Sequence, residues 1–247
     1  MTYSNQKLNC ESYGLENQKG FARLLDISVN IDRILLEIES VLGLLDEWNF
    51  HNHFKETKLD FKNREGKLAF LQLPEESKEG AYHGWRSPLS SFHGGYDKPW
   101  TSECKWTYRE CKKRNFINPV CTCTYEFNSL CFDLPYTNEI LQTIGMYKSM
   151  ISIVPPLFSI EVHQDPLPKL HIPLETNEDI FINLDLDSEK HDVNKSGNMK
   201  SVHLPADGNV YYVDTTRWHT VNNASSKWRC HIVGDVDSSR LNYVCGQ

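Results

Sequence analysis

Three residues of the right types for a divalent metal fall in two short motifs. His163-Gln164-Asp165 closes a strand-like run from Phe158 to Val162 and is followed by prolines at 166 and 168. In an extended chain, residues two apart project to the same side, so one strand end presents an imidazole and a carboxylate together. His219, fifty-six residues further on, opens another β-rich run and completes a two-His, one-carboxylate set. Such a set leaves three coordination positions open, as non-haem Fe(II) oxygenases need for a chelating cosubstrate and O2. His-x-Asp alone is common by chance, so its weight depends on its surroundings.

The surroundings include an arginine. Arg229 lies ten residues beyond His219, in the run Lys227-Trp228-Arg229-Cys230-His231-Ile232-Val233. On a barrel that distance allows a strand, a turn and a return, which brings the guanidinium to the metal's cavity. A buried arginine needs an anion, because an unpaired charge there is costly. The distal carboxylate of 2-oxoglutarate offers bidentate geometry for it. The competing reading pairs Arg229 with a structural acid such as Asp235 or Asp237.

These side chains need a scaffold, and the second half of the chain supplies its signals. Eight β-rich runs alternate with turns: 151–154, 158–162, 170–174, 180–186, 202–204, 210–213, 219–222 and 229–233. Short strands at this spacing predict a jelly roll, or double-stranded β-helix. Asp207-Gly208 marks a tight turn before Val210-Tyr211-Tyr212-Val213, and the polar stretch Ser188 to Lys200 reads as a loop. Upstream, Ile31, Ile34, Leu35, Ile38, Val41, Leu42, Leu45 and Trp48 recur at helical steps, with Asn30 as N-cap. That stripe is expected to pack on the back of a sheet. Ala69 to Leu73 is a short apolar run, and Tyr82 to Trp100 reads as a long ordered loop. A second helical or mixed segment is expected over Pro135 to Tyr147, with Thr137 and Asn138 as candidate caps. The expected class is therefore mainly β with N-terminal helices (α+β). Residues 150–247 form the β-helix core. Residues 1–149 pack on it as a helical or mixed region, a candidate substrate lid within one compact unit.

Three stretches together resemble one family. They are His163-Gln164-Asp165, the strand from Lys169-Leu170-His171-Ile172-Pro173-Leu174 to Asn177, and His219 through Asn222-Asn223 and Ser225 to Arg229-Cys230-His231-Ile232-Val233. They look like the aspartyl/asparaginyl β-hydroxylase and bacterial free-proline hydroxylase group of Fe(II)/2-oxoglutarate-dependent dioxygenases. The likeness covers roughly residues 150 to 237, and the first 150 carry none. It implies that His163, Asp165 and His219 bind iron and that Arg229 grips the C5 carboxylate of 2-oxoglutarate. It further implies that His171 lies near the cosubstrate's other end and that His231 supports the same carboxylate that Arg229 grips. The peptide-acting branch can carry Gly at the metal-carboxylate position. Asp165 therefore places this chain nearer the free-amino-acid branch and disfavours halogenation. Lys169 stands where Arg is frequent, which leaves an anion-binding role there open.

Composition narrows the rest. The chain has 247 residues, 39% hydrophobic and 24% charged, with a net charge of −7. An acidic balance argues against general nucleic-acid or anionic-membrane binding, despite the local basic stretch Lys105 to Arg114. The polar N-terminus has no signal-peptide core and no eighteen apolar residues run together, so a cytoplasmic protein without a membrane span is expected. Its eight cysteines are then expected as thiols. Five of them (Cys104, Cys111, Cys121, Cys123, Cys131) cluster, but at none of the usual zinc spacings. His51, His53, His83, His93 and His191 read as surface or loop residues. His203 lacks a downstream arginine that would make it a ligand. Arg86, in a loop with aromatics Trp85, Tyr96, Trp100 and Trp106, is a candidate partner for a substrate carboxylate. The expected activity is hydroxylation of an unactivated C–H of an amino acid, free and proline-like first, using Fe(II), 2-oxoglutarate and O2. Hydroxylation of Asp, Asn or Pro residues in a peptide, and a non-catalytic cupin-like metal module, stay open, as does the oligomeric state.

Overall fold

Alternating side-chain direction gives each strand two faces, and the larger sheet turns one of its faces to an apolar core shared with the helices. The computed structural model describes residues 7–14, 20–45, 85–88, 134–154, 156–165, 167–187 and 197–243. Among these the chain is mostly β-sheet with two α-helices. In order the elements are β1 (Leu8–Ser12), β2 (Phe21–Ser28), α1 (Ile31–Leu45), β3 (Trp85–Pro88), α2 (Pro135–Ile144), β4 (Tyr147–Val154) and β5 (Phe158–Ser159). They continue with β6 (Lys169–Glu175), β7 (Ile180–Asp185), β8 (Met199–Val202), β9 (Asn209–Val213), β10 (His219–Asn223), β11 (Arg229–Asp235) and β12 (Leu241–Tyr243).

Two sheets result. The larger runs β12-β1-β2-β9-β6-β11-β4-β3, and the smaller β5-β10-β7-β8. Met150 and Ser152 of β4 line one face with Arg229 and His231 of β11. Ile151 and Ile153 of β4, with Cys230 and Ile232 of β11, join the main core on the other. That core holds Ile151, Ile153, Leu170, Ile172 and Ile232 from the sheet, and Ile34, Leu35, Ile38, Leu141 and Ile144 from the two helices. Both helices therefore cover the back of the large sheet. Each fully buried Leu or Ile there contributes about 1.5–3 kcal/mol. A second core, with Phe21, Val154, Ile160, Ile182, Leu184, Tyr211, Val213 and Val221, fills the space between the sheets.

Local chemistry fixes the helix ends. Asn30 Oδ1 accepts the Arg33 N–H at 3.0 Å, so the expected cap of α1 is present. Helix α2 begins with Pro135 at its first turn and has no side-chain cap of its own at Leu134. The expected caps Thr137 and Asn138 are instead buried within the helix. Glu37 of α1 does the capping: its carboxylate accepts the N–H of Tyr136 and Thr137 and the Thr137 hydroxyl, each at 2.8 Å. The helix stops at Gly145, which has φ 62°; an added Cβ there would meet Arg240 Nη1 at 1.5 Å.

Some elements differ from the sequence reading. Trp85–Pro88, expected inside a loop, is an edge strand paired with β4, with Arg86 opposite Ser152. Pro88 fits that place, since an edge strand spares it a ladder donor. The N-terminal strands β1 and β2 were not foreseen; β2 pairs with β9, so this segment extends the large sheet itself. The strand expected over 202–204 lies at Met199–Val202, so the polar stretch before it ends two residues earlier. The expected Asp207-Gly208 turn is present, with Gly208 at φ 86°. Trp48, Ala69 to Leu73, the rest of Tyr82 to Trp100, the Lys105 to Arg114 stretch, the five clustered cysteines, His51, His53, His83, His93 and His191 lie outside the described residues. Among the described residues no helix is long and apolar enough to cross a membrane.

Candidate metal centre

Backbone pairing brings the two histidines together. His163 N–H donates to His219 C=O at 2.9 Å and His219 N–H donates back at 2.8 Å. Residues that exchange both bonds project to the same face, so the imidazoles lie side by side with centroids 4.2 Å apart. Asp165 is tethered to the loop between β9 and β10, where its N–H donates to Thr215 C=O at 2.8 Å. The Thr215 hydroxyl in turn donates to Leu167 C=O at 2.8 Å, closing the turn around the carboxylate.

The three candidate ligand atoms lie within 4.8 Å of one another. Asp165 Oδ2 is 3.6 Å from His219 Nε2, and Oδ1 is 4.0 Å from His163 Nε2. The ring nitrogens on the far side decide the protonation. His163 Nδ1 is 2.7 Å from Glu161 C=O, and His219 Nδ1 is 3.0 Å from Arg217 C=O. A carbonyl only accepts, so each Nδ1 carries a proton and each Nε2 is the nitrogen turned toward the carboxylate. Burial, the largest influence, and the neighbouring His163 push His219 down to about 4, against the opposing pull of Asp165, so the ring is neutral near pH 7. Two imidazole nitrogens and one carboxylate oxygen are a donor set suited to Fe(II). His163 and Asp165 are about a quarter exposed, 28% and 24% by side chain, so one side of the triangle opens to a cavity.

That cavity, about 530 Å³ of space including its mouth, runs from the triangle to Arg229. Ile182 and Val221 of the smaller sheet, with Ile160 just past β5, face Met150 and Val233 of the larger one across it. Arg229 is 1% exposed. Its Nη2 is 2.8 Å from His231 Nδ1 and 3.4 Å from His171 Nδ1. A guanidinium only donates, so both Nδ1 atoms accept, and each neutral ring carries its proton on Nε2. Both Nε2 atoms are buried without a hydrogen-bond partner. Burial first, then the Arg229 charge, holds both imidazoles well below the usual histidine range, which keeps them neutral. Of these three groups Arg229 and His171 line the cavity, so its buried wall carries N–H donors suited to an anion. Of the two acids weighed as structural partners for Arg229, Asp235 is joined to Lys169, and Asp237 accepts the Ser239 N–H at 2.9 Å.

The structure thus gathers His163, Asp165 and His219 at one end of the cavity, with Arg229 and His171 lining the same space and His231 behind them. His203 is apart, its Nδ1 3.0 Å from Ile180 C=O. Arg86 is placed by its backbone only, opposite Ser152, which lines the cavity. Ser152 escaped the sequence reading, although a lone serine within the apolar run Met150-Ile151-Ser152-Ile153-Val154 was a visible signal. The ion pair of Lys169 with Asp235 also escaped it, since that contact depends on the β6–β11 register.

A family model described as aspartyl/asparaginyl beta-hydroxylase matches residues 30–238. The comparison with curated proteins gave no match. Solved structures similar to this chain include AviO1 from Streptomyces viridochromogenes Tue57, at 14% identity and a TM-score of 0.43, covering 90% of this chain and 91% of that one. A Pseudomonas putida prolyl-4-hydroxylase gives 10% identity and 0.39, covering 89% and 92%. The non-haem monooxygenase ThoJ, in a nickel complex, gives 16% identity and 0.30 over 40% of this chain; the chain spans about half of that protein, 48%.

Proposed function

The chain belongs to the aspartyl/asparaginyl β-hydroxylase family, and from that premise we propose that it is an Fe(II)/2-oxoglutarate-dependent dioxygenase hydroxylating an unactivated C–H of a free, proline-like or other amino acid. The observation that carries this reading is the triangle of His163 Nε2, His219 Nε2 and an Asp165 oxygen, with both imidazole lone pairs released by Nδ1-to-carbonyl bonds. The core is proposed as a double-stranded β-helix. Strand order supports it, because from β4 to β11 the chain crosses between sheets at every step but β7 to β8: β4, β6, β9 and β11 lie in one, β5, β7, β8 and β10 in the other.

In this reading His163, Asp165 and His219 hold iron, which with bound 2-oxoglutarate and O2 supplies the oxidising chemistry for C–H hydroxylation. Arg229 binds the distal carboxylate of 2-oxoglutarate, whose charge suits a buried guanidinium. His231 holds that guanidinium through Nδ1 and so supports the carboxylate that Arg229 binds. His171 offers its Nε2–H from the cavity wall between Arg229 and the triangle. Ile160, Ile182, Val221, Met150 and Val233 make the walls apolar, which limits water beside the oxidant. No protein nucleophile is required. Arg86 is proposed to meet a substrate carboxylate, supported by the pairing of its backbone with cavity-lining Ser152.

The family's description names aspartyl and asparaginyl residues, which favours a second reading, hydroxylation of a residue within a peptide. Succinate release with Fe(II), 2-oxoglutarate and a panel of amino acids and peptides separates the readings. Succinate matched by a hydroxylated free amino acid is expected. Turnover with peptides alone selects the second reading, and none with any substrate leaves a metal-binding module without turnover.

A further inference from the structure

Asp165 lies outside the regular strands, and its backbone N–H bond to Thr215 fixes the main chain but not the carboxylate. A carboxylate on a turn has free χ torsions unless something holds its oxygens. Lys169, the first residue of β6, reaches into the cavity with its Nζ 3.7 Å from Asp165 Oδ2, the same oxygen that lies 3.6 Å from His219 Nε2. Lys169 is itself held. Its ammonium is hydrogen-bonded to Asp235 Oδ1, and the two residues are direct cross-strand partners in the β6–β11 ladder. The side chains of Lys169 and Asp235 are 13% and 6% exposed, so this pair sits in a dry, low-dielectric setting where its geometry is stiff.

We propose that Lys169 is a positioning residue for the metal-ligating carboxylate, with Asp235 as its buttress. The inference rests on the reading of His163, Asp165 and His219 as a metal site. The ammonium orients Asp165 toward the imidazole nitrogens. Asp235 shares the ammonium's charge, so that the lysine aligns the carboxylate without presenting a full positive charge to a divalent cation. The two residues therefore have different effects when lost. Without Lys169 the carboxylate swings away from the triangle. Without the Asp235 charge, the ammonium turns its whole charge on Asp165 and competes with the metal for it. Asp235 reaches the Asp165 carboxylate through Lys169, so its loss has no further consequence for that carboxylate once the lysine is gone.

Co(II) tests this on the full-length protein, because its visible absorption reports both occupancy and coordination without turnover. Against the wild type, Lys169→Met and Asp235→Asn are each expected to weaken Co(II) binding about tenfold or more, the usual effect of losing an outer-shell partner. Lys169→Arg, which keeps a cation at the same strand position, is expected to bind Co(II) more tightly than Lys169→Met. The double variant Lys169→Met/Asp235→Asn is expected to match Lys169→Met alone, both in affinity and in an altered Co(II) spectrum. Lys169→Met leaves a buried acid without its partner and is the variant most prone to misfold; the double variant removes both charges and carries the test by itself if that happens. Unchanged or tighter Co(II) binding in the double variant, or additive losses from the two single variants, would overturn the proposal. A wild type that binds no Co(II), or binds it equally well in His219→Ala, would instead overturn the metal-site reading on which it rests.

Discussion

At the scale of single residues, the backbone decides which nitrogen of each histidine is available. Carbonyl oxygens take the Nδ1 protons of His163 and His219, while the Arg229 guanidinium forces the opposite tautomer on His171 and His231. The same side chain thus serves as lone-pair donor at one end of the cavity and as N–H donor at the other. Two predictions belong here. His219→Ala or Asp165→Ala is expected to abolish 2-oxoglutarate turnover, measured as succinate, while leaving the melting temperature of the metal-free protein within a few degrees. Arg229→Lys keeps a charge but loses the planar fork, so the KM for 2-oxoglutarate is expected to rise at least about tenfold with a smaller fall in kcat. An unchanged KM would remove Arg229 from cosubstrate binding. Much of this was legible in the sequence. A His-x-Asp at a strand end, a distant His opening a strand and an Arg ten residues on are statements about period-two projection, which survive folding. Lys169 with Asp235 was not legible, because 66 residues separate them and only strand register makes them partners.

At the scale of elements, what sequence periodicity conveys is an element's type and its buried face. Ile34, Leu35 and Ile38 face the large sheet as the helical spacing of α1 required. Tertiary partners are what it omits. Helix α2 is capped from α1 by Glu37, a residue about a hundred positions away in sequence, so Thr137 and Asn138 misled as local caps. Strand β3 is short, ends in a proline, and exists through its pairing with the outer edge of β4, so a loop was the natural local reading. Because Glu37 satisfies two backbone donors of α2, Glu37→Ala is expected to destabilise the protein by about 1–2 kcal/mol, read as a lower urea midpoint with an unchanged slope. Gly145→Ala adds a left-handed alanine against Arg240 and is expected to cost at least about 1 kcal/mol in the same assay.

At the scale of the whole molecule, the space between the sheets holds an apolar core that borders the cavity through Ile160, Ile182 and Val221. Beside that cavity, neutral histidines sit where water does not reach. His171 and His231 are held well below the usual histidine value of 6.5, chiefly by burial and then by Arg229. The unfolded chain therefore binds protons that the folded one does not, and stability rises with pH through that window. The stability is full above about pH 7 and is lost as pH falls below about 6.5. Melting temperatures of the metal-free protein should drop between about pH 7.5 and about pH 5, and His231→Asn should show a shallower drop. An equal slope in that variant would mean that other groups dominate.

The central claim is that one cavity holds a divalent metal at His163, Asp165 and His219 and a dicarboxylate at Arg229, and these two sites lie close enough for one molecule to bridge them. Anaerobic titration of the Fe(II)-loaded protein with 2-oxoglutarate tests it directly, because chelation of the metal by the 2-oxo acid gives a visible charge-transfer band. The wild type should develop the band at saturation. His219→Ala should show none, and Arg229→Met should need at least about tenfold more 2-oxoglutarate to reach it. Iron that binds without producing the band, or a band that survives unchanged in His219→Ala, would contradict the account.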